Sequence, residues 1–264
     1  MLQWLGWLRN EIDFPLRTWL RLRRKGCRLP CEEKGGLFQG TVGSEADRLV
    51  TAYGLQRWRQ VSGRQDYAAS LFYLQMLERA FREAGVALPS TVSALDAGCG
   101  DWFYVQALHG LLSRYGTSTL RSVSLNGVEL DAYQPYEGLH SRMDWALAFA
   151  EGLEGVRYLP QDIRRYQHPC DVAFLLFPFL MGDDLRRWGL PRRYLRPGEL
   201  LGHVWTRVEP GGWLVTANLG EGERDRQHQL LADAGIPVVW WGGHESPLYH
   251  YDSIRYVTVA RRAR

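Results

Sequence analysis

The chain has 264 residues, 45% of them apolar and 23% charged, with a formal net charge of +3. These values describe a globular protein with a core of normal size, and the charge is too small to require a nucleic-acid partner. Four cysteines, Cys27, Cys31, Cys99 and Cys170, do not make a secreted disulfide framework.

Residues 1–90 read as a helical N-terminal extension. The start lacks the charged and apolar blocks of a signal peptide, and Glu11 and Asp13 fit an organellar transit sequence badly. No run approaches the roughly 20 apolar residues of a membrane span, so a cytoplasmic protein is expected. "FPLRTWLRLRRKG" places Leu16, Trp19, Leu20 and Arg23 at helical spacing, with Gly26 as the cap. Six Lys or Arg and no acid lie between Arg17 and Arg28. The Cys27-x3-Cys31 pair has no third partner for an iron–sulfur or zinc site, and free thiols in a reducing compartment are expected. Ser44 is placed to cap a helix running to about Val61. "DYAASLFYLQMLERAFREAG" is the clearest helix, with Leu71, Leu74, Leu77 and Phe81 on one face and Gly85 at its end.

From residue 91 strands and helices alternate. Strands are expected at "TVSALDA", "SVSLNGVEL", "VRYLP", "DVAFLLFPFL", "WLVTANL", "IPVVWWGG" and "SIRYVTVARR", with helices at "FYVQALHGLLSRYG", "HSRMDWALAFAEGLEG" and "RDRQHQLLADAG", and a helix with a turn at "GELLGHVWTRVEPGG". Alternation of this kind predicts a seven-stranded, mostly parallel sheet with helices on both faces.

In such a sheet, ligands bind beyond the carboxyl ends of the strands. The first strand exits into "DAGCGDW", where Gly98 and Gly100 let the backbone bend and approach a ligand closely. A dinucleotide site would want a third glycine where Phe103 stands, which counts against a nicotinamide cofactor. Glu129, ending the second strand, is placed to take both hydroxyls of a ribose, with Asp131 as the alternative acid. Asp162, after the third strand, is placed to accept an amino N–H of a base, and Ile163 to lie along its flat face.

Taken in order, "LDAGCG", "GVELD", "PQDI" and "EPGGWLV" in residues 91–264 resemble the class I S-adenosylmethionine-dependent methyltransferases. The resemblance implies a Rossmann-like domain and S-adenosylmethionine as cofactor, held by Asp96, Ala97, Gly98, Gly100, Glu129, Leu130, Asp162, Ile163 and Phe177. Two departures stand out. The family often has a third glycine where Trp102 stands, and the first two acids are farther apart than usual.

The implied activity is methyl transfer to a small-molecule acceptor at oxygen or nitrogen. "FLLFPFL" offers no polar side chain for a base amine, since Phe177, Pro178 and Phe179 occupy that place. His244, His250 and Tyr251, between the last two strands, are the candidates for a base or acceptor-binding group, and Asn218, at the end of the fifth strand, is expected to line the pocket. No metal site is expected. Helices preceding the first strand often fold over the cofactor in this family, which would bring Tyr67 and Tyr73 near the site. The basic end of the first helix suits its own dipole, and Trp4, Trp7 and Trp19 are expected to pack on the main domain. The alternative is that 1–28 meets nucleic acid or a membrane surface. An RNA or protein methyltransferase, and a non-enzymatic binding module, are the competing functions.

Overall fold

The computed structural model describes residues 2–264; Met1 lies outside the described residues. Helix α1 (Leu2–Leu20) is followed by an extended basic segment, then α2 (Gly40–Tyr53), α3 (Gln56–Val61) and α4 (Arg64–Ala84). Next come β1 (Thr91–Ala97), α5 (Val105–Arg114), β2 (Ser122–Glu129), α6 (Arg142–Phe149), β3 (Val156–Pro160) and β4 (Cys170–Leu176). The chain closes with α7 (Gly182–Arg187), α8 (Pro197–Arg207), β5 (Val208–Leu219), α9 (Gly220–Asp233), β6 (Val238–His244) and β7 (Arg255–Arg261).

The seven strands form one sheet in the order β3-β2-β1-β4-β5-β7-β6. All pairings are parallel except those of β7, which runs antiparallel to both β5 and β6. This is a Rossmann-like fold. Strand order reverses between β1 and β4, the place where such sheets open a crevice.

The central strands are apolar on both faces because helices cover both. Val92 and Ala94 of β1 and Val172 and Phe174 of β4 point into a core shared with α2, α4 and α5. Their neighbours Leu95, Ala97, Ala173 and Leu175 enter the opposite core, with Leu201 and Val204 of α8 and Leu231 of α9. Helices α2 and α4 are therefore built into the main core; Leu71, Leu74, Leu77 and Phe81 are all buried there.

Several helix boundaries differ from the sequence expectation. Helix α1 starts far earlier than "FPLRTWL", carries Pro15 inside it and ends at Leu20, so the basic run is not helical. Arg21 turns left-handed, and the Arg23 side chain and the Arg24 N–H both reach Asp144, drawing the segment off the helix axis. Ser44 lies within α2, which begins at Gly40, and left-handed Gly54 separates α2 from α3. No helix among the described residues is long and apolar enough to cross a membrane.

Trp102 replaces the expected glycine while keeping a glycine-like backbone, with φ of 61°. Its indole is fully buried against Gly127 of β2, where an added Cβ would lie 2.6 Å from the ring. The bulk lost at one position is thus supplied by the other. Gly127→Ala should cost about 1–3 kcal/mol through overpacking, and much less in a Trp102→Ala background. Urea unfolding of the four proteins of this cycle checks it; an equal cost in both backgrounds would contradict the packing account.

Candidate functional site

A cavity of about 480 Å³ opens at the carboxyl ends of β1, β2 and β4, within the roughly 300–1,000 Å³ of small-molecule sites. Its wall brings together Ala97, Gly98, Gly100, Glu129, Leu130, Asp162, Ile163 and Phe177. Gly98 has φ of 80°, and nothing lies within 4 Å of where its Cβ would be. A side chain there would be strained and would fill the space beside the turn.

The turn and β2 are fastened to each other through Glu129. One carboxylate oxygen accepts the Gly100 N–H at 2.9 Å and the other the Asp131 N–H at 2.7 Å. The Gly100 carbonyl accepts from the Tyr158 hydroxyl at 2.8 Å. Glu129 is buried, and burial pushes its carboxyl above the ordinary value, against the pull of Arg142 and the two N–H donors. A carboxylate has about four acceptor positions, so two remain for ligand hydroxyls.

Asp131 does not line the cavity. It is buried in a two-toothed ion pair with Arg17 of α1, both bonds at 2.7 Å, and also accepts from Arg142. Of the two acids considered for a ribose, only Glu129 faces the space.

Asp96 departs from expectation: it stands behind the cavity wall and does not line it. The even register that sends Val92 and Ala94 toward α4 sends Asp96 the same way. There one oxygen accepts from Trp102 Nε1 at 2.7 Å and from the Tyr104 hydroxyl at 2.9 Å, while the other has no partner. Burial outweighs those two donors and raises its pKa to about 7. Asp96 fastens the turn from behind the cavity wall.

Asp162 lines the cavity but is not a free acceptor. Arg164 pairs with its carboxylate through Nε and Nη2, and the Arg164 N–H donates to it at 2.9 Å. Burial pushes this carboxyl up, yet the Arg164 donors prevail and leave it below the ordinary value. The cavity therefore meets the Asp162–Arg164 pair as a unit, beside Ile163.

The three catalytic candidates lie outside the cavity wall. His244 is buried edge-on against Phe72 of α4, and burial lowers its pKa to about 4. His250 is exposed beside Asp252. Tyr251 packs under the Arg255 guanidinium, 3.8 Å from its ring centre. The end of β6 and the segment after it fold back onto α4 instead of overhanging the cavity, which removes all three. Tyr67 and Tyr73 are buried, and Tyr73 stacks on Tyr104 at 4.9 Å. Asn218 is buried with neither amide atom partnered and likewise does not line the cavity.

The cavity's other wall is a lid, residues 181–196, which sequence patterning left unread. Asp184, Leu185, Arg187, Trp188 and Tyr194 face inward from it. The run "DDLRRWGLPRRYLRP" has no clear period, and only its aromatic and basic content set it apart. Trp188 lies beneath Arg142, 3.9 Å from guanidinium to ring centre, and beside Gly100. Glu223 of α9 is the other unforeseen residue. Its carboxylate accepts the Leu219 N–H at 2.8 Å, a helix-start contact, and burial raises its pKa with Asp184 adding to the effect. Phe177 carries a left-handed φ of 56° at the cavity edge, a conformation that concentrates at functional sites.

No protein-family model matches the chain, and no curated protein matches its sequence. Solved structures do match. The [4+2]-cyclase SpnF superposes with a TM-score of 0.52 at 15% identity, over 91% of this chain and 99% of that one. A protein assigned to the class I S-adenosylmethionine-dependent methyltransferases, from Listeria monocytogenes, superposes with a TM-score of 0.51 at 15% identity, over 88% of this chain and 71% of that one. At such identities the likeness is one of fold.

The raised Asp96 pKa has a consequence for stability. The folded protein keeps a proton that the unfolded chain releases near 3.8, so stability is full below that pH and is lost as pH rises toward about 7. Asp96→Asn mimics the protonated acid. It should match the wild type near pH 4 and gain on it by up to about 1.4 kcal/mol per pH unit across that window. Urea midpoints across this pH range report the difference; a gap that does not change with pH would contradict the assignment.

Proposed function

We propose that the chain binds S-adenosylmethionine in this cavity and transfers its methyl group to a small, largely apolar acceptor at oxygen or nitrogen. The observation that carries the reading is the convergence on one space of a side-chain-free turn at Gly98, the Glu129 carboxylate and Ile163. Open room at Gly98 suits close approach of a ligand chain, and the free lone pairs of Glu129 suit vicinal hydroxyls. The Asp162–Arg164 pair presents both an acceptor and donors to a base edge. The likeness in fold to the Listeria protein supports the same reading.

When bound, the cofactor supplies a methyl group already activated by a sulfonium. The residues here contribute placement and a proton acceptor. Leu176, Phe179, Leu190, Trp188 and Leu219 give the acceptor side an apolar wall. Glu223, half-buried with a raised pKa, is the group suited to receive the acceptor's proton. SpnF, named a cyclase, supports a second reading in which this fold holds a ligand without methyl transfer.

Calorimetry tests the binding step on which the methyl-transfer reading rests. S-adenosylhomocysteine should bind the wild type, and Glu129→Gln should weaken it about tenfold, as loss of charge-assisted hydrogen bonds implies, in a protein with unchanged circular dichroism. NADH should give no heat. Undiminished affinity in the variant, or preference for NADH, would overturn the proposal.

A further inference from the structure

Helix α1 is used on one side only. Its inner side is fastened to the lid: buried Asn10 donates to the carbonyls of Arg186 and Leu190, Phe14 packs on Leu185 and Leu190, and Arg17 donates to the Gly189 carbonyl. The outer side repeats an apolar residue every three or four positions, the helical spacing for one face. Trp4, Leu8, Ile12, Leu16 and Trp19 are 66%, 45%, 61%, 51% and 77% exposed. This stripe runs most of a helix about 28 Å long at 1.5 Å per residue. Because Asn10, Phe14 and Arg17 are already engaged, the helix cannot roll to bury it, and nothing among the described residues covers it.

The charges say what that cover is. The stripe leads straight into exposed Arg21, Arg24, Lys25 and Arg28, none of which has an ion-pair partner among the described residues. The acids at the stripe's rim are answered, Glu11 by Arg193 and Asp13 by Arg9. An apolar stripe with tryptophans near both ends and unbalanced cations beside it has the chemistry of the boundary between lipid headgroups and acyl chains. RNA would use the cations but leaves the stripe uncovered. A second copy packed in parallel would cover the stripe but set two basic segments against each other, and one packed antiparallel would leave the cations without anions.

We propose that α1 and the basic segment after it seat the protein on an anionic membrane surface, with the helix lying in the plane of the bilayer. The test uses the full chain and extruded vesicles of phosphatidylcholine, with and without phosphatidylglycerol, in co-sedimentation. The wild type should partition onto the mixed vesicles, more weakly onto neutral ones, and less as salt rises. Ile12→Glu with Trp19→Glu should abolish partitioning, and neutralising Arg21, Arg24 and Lys25 should weaken it about fivefold per residue. All of these side chains are exposed, so the variants should keep the wild-type melting temperature and S-adenosylhomocysteine affinity. Failure of the wild type to bind mixed vesicles would overturn the proposal. So would retention of binding by the double glutamate variant, RNA binding that only the basic residues govern in place of vesicle binding, or a dimer in sedimentation velocity that the double variant dissolves.

Discussion

Asp96 carries its carboxyl group into the interior at the end of β1, where the Trp102 indole and the Tyr104 hydroxyl both donate to it. That contact holds Trp102 in a left-handed conformation and wedges its ring against Gly127. The turn between them is then fixed, and its Gly100 N–H is delivered to Glu129. Glu129 is thereby held at the cavity wall by backbone donors instead of by a rotamer preference alone. A buried acid, a buried indole and one missing Cβ on the neighbouring strand together set the shape of the space a ligand would enter.

The second frame of the site comes from outside the sheet. Arg17 of α1 joins the lid to Asp131 at the exit of β2, and Arg142 joins Asp131 to the ring of Trp188. Asp131 is two residues from Glu129, so the anchoring of α1, the lid and the cavity-facing acid share one short segment. The helix that presents an apolar stripe outward is the same helix that secures the cavity's cover. Seating α1 on a bilayer would place the lid beside the membrane, where an apolar acceptor is concentrated.

Much of this was legible in the sequence, for local reasons. The strands follow from apolar runs bounded by glycine and acid, and β1, β3 and most of β5 fall where the pattern puts them. Eight of the wall residues, from Ala97 to Phe177, follow from the ordered motifs, because strand exits in a parallel sheet converge by construction. What was not legible depends on pairs distant in the chain. Nothing local to Trp102 announces that Gly127 makes room for it, or that Asp96 turns inward to hold it. Asp162 reads as a free acid until Arg164 is seen folded onto it. His244, His250 and Tyr251 were misplaced because the β6–β7 segment packs on Phe72 of α4, a contact across most of the chain. The lid lacked any period to read, and its role appears only once α1 and Asp131 are seen to grip it.

Amide hydrogen exchange with and without saturating S-adenosylhomocysteine tests the central claim most directly. The account places slowed exchange in peptides spanning the Gly98–Gly100 turn, the Glu129–Asp131 exit and the Asp162–Arg164 pair, together with the lid. Protection confined to other parts of the chain, or a bound ligand that leaves the Gly98–Gly100 amides unchanged, would contradict it.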